Sequence, residues 1–143
     1  MVTKVENITL EFNEMINSNA YITWRKYNQF LEKYEHIFKE ASNNSALQDI
    51  ANNGYQKIEE HNNLLINKKL ILEQDYFDNI FKNIDANILL DEEQRKAILE
   101  EEDYSLIIAG AGSGKTTTMA AKVKYLIEKK GIHPSKIAVV SYT

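Results

Sequence analysis

The sequence predicts an α/β fold, an incomplete β-α-β unit preceded by a mostly helical N-terminal region, and three observations predict it. Residues Tyr104 to Lys124, YSLIIAGAGSGKTTTMAAKVK, begin with the apolar run Leu106-Ile107-Ile108-Ala109, break at Gly110, Gly112 and Gly114, and continue with helical spacing. Ile137-Ala138-Val139-Val140 is a second unbroken apolar run, as expected of a parallel strand buried on both faces. All 15 asparagines fall at or before Asn87, whereas four of the five glycines and the single proline follow it. This shift divides the chain into a helical domain, 1–87, and the start of a nucleotide-binding domain, 88–143.

In the first part, Trp24, Tyr27, Leu31, Tyr34 and Phe38 step by three and four, which lines one face of a helix. Aromatic residues at that spacing are expected to pack between helices. Asn43-Asn44-Ser45 interrupts the pattern and supplies an N-cap at Asn44 or Ser45. A second helix is expected through Leu47, Ala51, Gly54 and Ile58, with a break expected at Asn52-Asn53-Gly54. Ile66, Leu70, Phe77, Phe81 and Ile84 suggest a third, giving two or three long antiparallel helices.

At Leu89-Leu90-Asp91-Glu92-Glu93-Gln94 the character changes. Asp91 is suited to N-cap a helix, with Gln94 at the capping-box position and Glu92 and Glu93 in the first turn, where the helix dipole favours acids. The cluster Glu100-Glu101-Glu102-Asp103 precedes the first expected strand, at the end away from the glycine loop, and is read as a solvated turn. Met119, Val123, Leu126 and Ile127 would form the inner face of the helix after the loop, which ends at Lys129-Lys130-Gly131.

The loop indicates the chemistry. Glycines permit positive φ and bring successive N–H groups near an anion, and the following helix N-terminus adds its unpaired donors. A polyphosphate is the expected ligand of this P-loop (Walker A) pattern. The backbone around Ala109, Gly110, Ala111, Gly112, Ser113 and Gly114 would cradle it, Lys115 would reach the β and γ oxygens, and the Thr116 hydroxyl would sit on Mg²⁺. Ala109 departs from the strict motif, which has glycine there. A dinucleotide-binding reading is weaker, because Glu128 inside the helix is the only acid about where a ribose ligand would be needed.

Composition excludes several classes. Without cysteine there are neither disulfides nor thiolate metal sites, which is consistent with a cytoplasmic protein. His36, His61 and His133 are scattered and read as surface residues. No apolar run approaches the ~20 residues of a membrane span, and no signal peptide is expected. The net charge of −4 argues against non-specific nucleic-acid binding by the whole chain. Its distribution is uneven: residues 88–103 carry two basic and seven acidic side chains, residues 104–143 six and one.

Three stretches together, Leu90-Asp91-Glu92-Glu93-Gln94-Arg95-Lys96-Ala97-Ile98, Ile108 to Thr116, and Ile137 to Thr143, resemble the opening of the UvrD/Rep family of superfamily 1 DNA helicases. Tyr76-Phe77-Asp78 and the long helical region before it are similar to the helicase IV branch. The resemblance implies a RecA-like ATP-binding domain, ATP and Mg²⁺ as cofactors, translocation on single-stranded DNA, and unwinding of duplex DNA with 3′ to 5′ polarity, in DNA repair. It implies that Gln94 faces adenine, that Thr117 stands near the nucleotide where several relatives carry Arg, and that Tyr142 contacts single-stranded DNA. Hydrolysis also needs a Walker B carboxylate and arginine groups on the transferring phosphoryl group; none follows in this chain, so it reads as an N-terminal part that is inactive alone. A different P-loop ATPase or kinase, or a helical interaction module with a vestigial loop, are the alternatives.

Overall fold

A computed structural model describes residues 2–140, and the described residues are all-α. Helices α1 (Val2–Ile16), α2 (Trp24–Lys33), α3 (Glu35–Glu40), α4 (Ser45–Leu72), α5 (Gln74–Asn79), α6 (Glu92–Leu99) and α7 (Lys115–Glu128) are followed by a 3₁₀ turn, Pro134–Lys136. The chain divides into two compact units, residues 2–68 with 101–105, and residues 69–100 with 106–140.

The first unit is organised around a buried aromatic cluster. Val5, Ile8 and Phe12 of α1 repeat at helical spacing and are buried, a helix that the polar-looking N-terminus did not announce. Phe12 meets Tyr27 and Phe30 at ring-centroid distances of 6.1 and 5.8 Å, and Tyr55 sets its edge on Tyr27 at 4.8 Å. The expected stripe on Trp24, Tyr27, Leu31, Tyr34 and Phe38 packs against this core, but the helix is interrupted at Tyr34, so that α2 and α3 are separate. Asn44, rather than Ser45, caps α4: its Oδ1 accepts from Ala46 and Leu47 N–H. No break occurs at Asn52-Asn53-Gly54. There α4 runs on, and Gly54 is where the Tyr27 hydroxyl crosses the helix on its way to Ile50 O at 2.8 Å. Asn62 is buried and satisfied twice, accepting from Ile22 N at 2.9 Å and donating to Ile22 O at 2.8 Å.

The acidic cluster is irregular and exposed at Glu101 and Asp103, as a solvated turn would be, and two of its carboxylates also make contacts the sequence did not suggest. Both Glu102 carboxylate oxygens accept from Trp24 N–H at 3.3 Å, at the N-terminus of α2, and Asp103 pairs with Arg25 at 3.3 Å. Negative charge is favourable at that end of a helix. Residues distant in sequence thus complete the first turn that Thr23 begins, its Oγ1 accepting from Lys26 N–H.

In the second unit Phe77, Ile80, Phe81, Leu90, Ile98, Leu99, Ala121 and Tyr125 are buried. Phe77 of α5 stacks on Tyr125 of α7, centroids 5.8 Å apart and planes 13° apart. Arg95 of α6 lies over the Phe77 ring and binds Asp78 at 2.7 Å. The inner face of α7 is Thr118, Ala121 and Tyr125; Met119 is exposed, and Val123, Leu126 and Ile127 are only half-buried.

The predicted α/β class is overturned. Among the described residues there is no strand, no sheet and hence no β-α-β unit; only its helix, α7, has formed. Leu106, Ile108 and Val140 are 85, 88 and 85% exposed. A strand exists through its ladder, and a lone parallel pair is the weakest way to make one, with no neighbouring strand to pair and no covering layer to bury its faces. Apolar composition marked these runs correctly as residues that favour burial, but it does not supply the partners.

Candidate nucleotide-binding site

The site is built from the loop between Ala109 and Gly114 and the two helices beside it, all within the second unit. Gly112 and Gly114 have φ of +76° and +78°, values that side-chain-bearing residues rarely adopt, and Gly114 is the N-cap from which α7 starts. Ser113 closes the turn, its hydroxyl donating to Gly110 O at 2.7 Å and its N–H reaching the same oxygen at 3.3 Å. Lys115 folds back across the loop and donates to Ala109 O at 2.9 Å and Gly110 O at 2.6 Å. An ammonium group has three donors, so this arrangement leaves one for an incoming anion. Lys115 and Thr116 are exposed on the first turn of α7, Thr117 is half-buried, and Thr118 donates to Gly114 O at 3.0 Å.

Gln94 joins α6 to this loop. Its Oε1 accepts from Asp91 N–H at 2.9 Å while Asp91 Oδ1 accepts from Gln94 N–H at 2.8 Å, so the capping box expected from the sequence has formed. Its Nε2 donates to Ser113 O at 3.2 Å. The contact is close enough that a Cβ on Gly114 would lie 2.6 Å from Nε2. A primary amide has two donors and two acceptor lone pairs. Cap and loop take one of each, leaving one N–H and one lone pair for a ligand.

Gln94, Ala109, Gly110, Ala111, Gly112, Ser113, Gly114, Lys115, Thr116 and Thr117 are therefore gathered on one loop and two helix ends. Residues 90–143 match the UvrD/REP helicase N-terminal domain.

The chain is 49% identical over 55 residues to a protein named "Probable DNA helicase II homolog" from Mycoplasma capricolum, covering 38% of this chain and 8% of that relative. It is 43% identical over 54 residues to the ATP-dependent DNA helicase UvrD1 of Mycobacterium leprae, covering 38% of this chain and 7% of the relative. The same enzyme name recurs at 37% identity over 54 residues in Mycobacterium tuberculosis. The chain spans less than a tenth of the length of these relatives. No solved structure matches the chain. Tyr142, the expected DNA contact, lies outside the described residues.

Sequence reasoning missed Lys122 and Arg95. Lys122 of α7 donates to Ile98 O at 2.6 Å and Glu100 O at 2.5 Å, at the C-terminal end of α6. Arg95 Nε donates to Leu90 O at 2.9 Å, just before that helix begins. A basic residue at helical spacing carries no mark that separates such a clamp from a solvated face. Among the described residues no group of three or more His, Asp or Glu could hold a metal ion, and no helix is long and apolar enough to cross a membrane.

Proposed function

We propose that this chain is the ATP-binding N-terminal part of an ATP-dependent DNA helicase that moves 3′ to 5′ on single-stranded DNA, separates duplex DNA and acts in DNA repair in the cytoplasm. In this reading residues 88–143 begin the ATP-binding domain and residues 1–87 form a helical N-terminal region. The observation that carries it is the joint placement of Lys115 across a loop with two left-handed glycines and of Gln94 against the same loop. A polyphosphate fits the first; adenine, which offers a donor at N6 and an acceptor at N7, fits the N–H and lone pair that Gln94 retains. The names of the relatives supply the helicase assignment.

Mg²⁺ would come with the nucleotide. The chain offers it the Thr116 hydroxyl and, among the described residues, no carboxylate cluster, and Mg²⁺ commonly keeps water and phosphate oxygens as most of its ligands. Bound there, it would neutralise charge on the β and γ phosphates. Lys115 would hold the γ-phosphate end, the loop backbone would fix the phosphate chain, and Gln94 would set the base. Positioning an attacking water calls for a further carboxylate, so the role proposed for residues 88–143 is the binding of Mg-ATP.

Titration calorimetry with Mg-ATP tests this. The wild-type chain should bind and Lys115→Ala should show no measurable heat; equal affinity in the two would remove the assignment, and equal affinity for GTP would point to another P-loop class. For the protein that carries this segment, a 3′-tailed duplex should be unwound and a 5′-tailed one should not.

A further inference from the structure

Lys122 lies two helical turns beyond the glycine loop and is outside the motif that defines it. Its ammonium sits on the end of a neighbouring helix, donating to Ile98 O at 2.6 Å and Glu100 O at 2.5 Å, with Ala97 O at 3.4 Å. These are carbonyls that the last turn of α6 cannot bond within itself, at the end where the helix dipole favours a cation. At the other end of α6, Gln94 is bound to Ser113 O and to its own cap. Helix α6 has eight residues and is therefore about 12 Å long. It is a short rod held at both ends by one continuous segment, 113–122.

The geometry points to Lys122 as a positioning residue for base recognition: by fixing the C-terminal end of α6 on α7, it holds the Gln94 amide in register with the phosphate loop. The inference rests on the adenine role of Gln94 proposed above. Lys122 itself touches no ligand. With its ammonium removed, the three carbonyls at the end of α6 turn to water, and that end keeps only the burial of Ile98 and Leu99 to hold it, so its register against the loop loosens. The amide then loses its fixed distance to Ser113 and Gly114, while the loop, closed by Ser113 and Lys115, keeps its own bonds.

The test compares the full chain with Lys122→Met, Lys122→Arg, Gln94→Ala and the Lys122→Met/Gln94→Ala double variant, each titrated with Mg-ATP and with magnesium tripolyphosphate, which has no base. Lys122→Met and Gln94→Ala should each weaken ATP binding by about tenfold, the size of one or two lost hydrogen bonds. Tripolyphosphate affinity should change less than about twofold on the same scale. The double variant should be no worse than Gln94→Ala, and Lys122→Arg should restore binding. In ¹⁵N spectra the Gln94 side-chain amide should move towards the position of a free glutamine in Lys122→Met while the backbone amides of α5 and α7 keep their wild-type positions, a pattern that general unfolding does not produce. Equal loss of ATP and tripolyphosphate, or additive effects in the double variant, would overturn the positioning role. If Gln94→Ala weakens ATP and Lys122→Met does not, the positioning role fails alone; if Gln94→Ala leaves ATP affinity unchanged, the base contact itself fails and takes the positioning role with it.

Discussion

At Gly54 a side chain has no room. A Cβ built there would lie 2.1 Å from the Tyr27 hydroxyl oxygen and 2.7 Å from the ring carbon that bears it, and that hydroxyl is held by Ile50 O at 2.8 Å. Ala is preferred to Gly inside a helix by about 1 kcal/mol, so propensity alone predicts that Gly54→Ala stabilises α4. Overpacking a fitted core costs about 1–3 kcal/mol, and the clash involves a buried ring that cannot swing away. Gly54→Ala is therefore expected to lower stability, and chemical denaturation of the chain measures it. Tyr27→Phe removes the atom in closest conflict, so the same substitution should cost less in that background. A cycle with no coupling between the two changes would show that Gly54 is not there for Tyr27. The sequence presented Gly54 as a helix break because glycine without context is ambiguous. Its reason is a partner 27 positions away, which no local pattern contains.

Helix ends show the same division between local and distant causes. The box of Asp91 and Gln94 was legible because cap and partner lie three residues apart and follow a fixed geometry. The N-terminus of α2 was not, because half of its cap, Glu102, comes from the far end of the acidic cluster. Tyr34, which ends α2, also has a role off its own helix. Its hydroxyl donates to the Glu11 carboxylate of α1, and Lys33 binds the same group at 2.9 Å. The Tyr34 hydrogen bond first, and the Lys33 ammonium second, hold the Glu11 carboxyl below the ordinary glutamate range. A depressed carboxylate pKa means that the folded state binds a proton less readily than the unfolded chain, whose glutamate titrates at about 4.3. The stabilisation is thus complete above that pH and is lost as pH falls through the lower folded value. The Glu11 side chain is 41% exposed, so solvent keeps the effect small. Tyr34→Phe should narrow its stability gap to the wild type below about pH 4 relative to pH 6, on the side of the unfolded pKa where linkage vanishes. A gap that stays constant in denaturation at the two pH values would remove Glu11 as its source.

Across the whole molecule, the helices of the proposed nucleotide site were legible in the sequence, and the two strands expected from it are absent among the described residues. A helix satisfies its backbone within itself, so α6 and α7 follow from their own residues, whereas the strands expected at 106–109 and 137–140 needed neighbours that local sequence does not specify. What holds the second unit together is the packing of α6 on α7, to which α5 is joined through Phe77 stacked on Tyr125, Tyr76 donating to Glu128 at 2.8 Å, and Arg95 bound to Asp78. The family match begins only at residue 90, so α5 precedes the matched segment and yet buries one of its largest fully enclosed rings. Phe77 is 1% exposed, and removing a ring of that size costs about 3–5 kcal/mol. The unit's other large buried side chains, Ile80, Phe81, Leu90, Ile98, Leu99 and Tyr125, form the same small core and lose packing with it. Phe77→Ala should therefore lower amide protection across 69–100 and 106–140, and weaken Mg-ATP binding because α7 carries Lys115, while protection in α1 and α2 changes little. Hydrogen exchange followed by mass spectrometry reads both units in one experiment. Uniform loss along the chain would mean that the two compact units unfold as one, and unchanged protection at 115–128 would mean that α7 does not depend on α5.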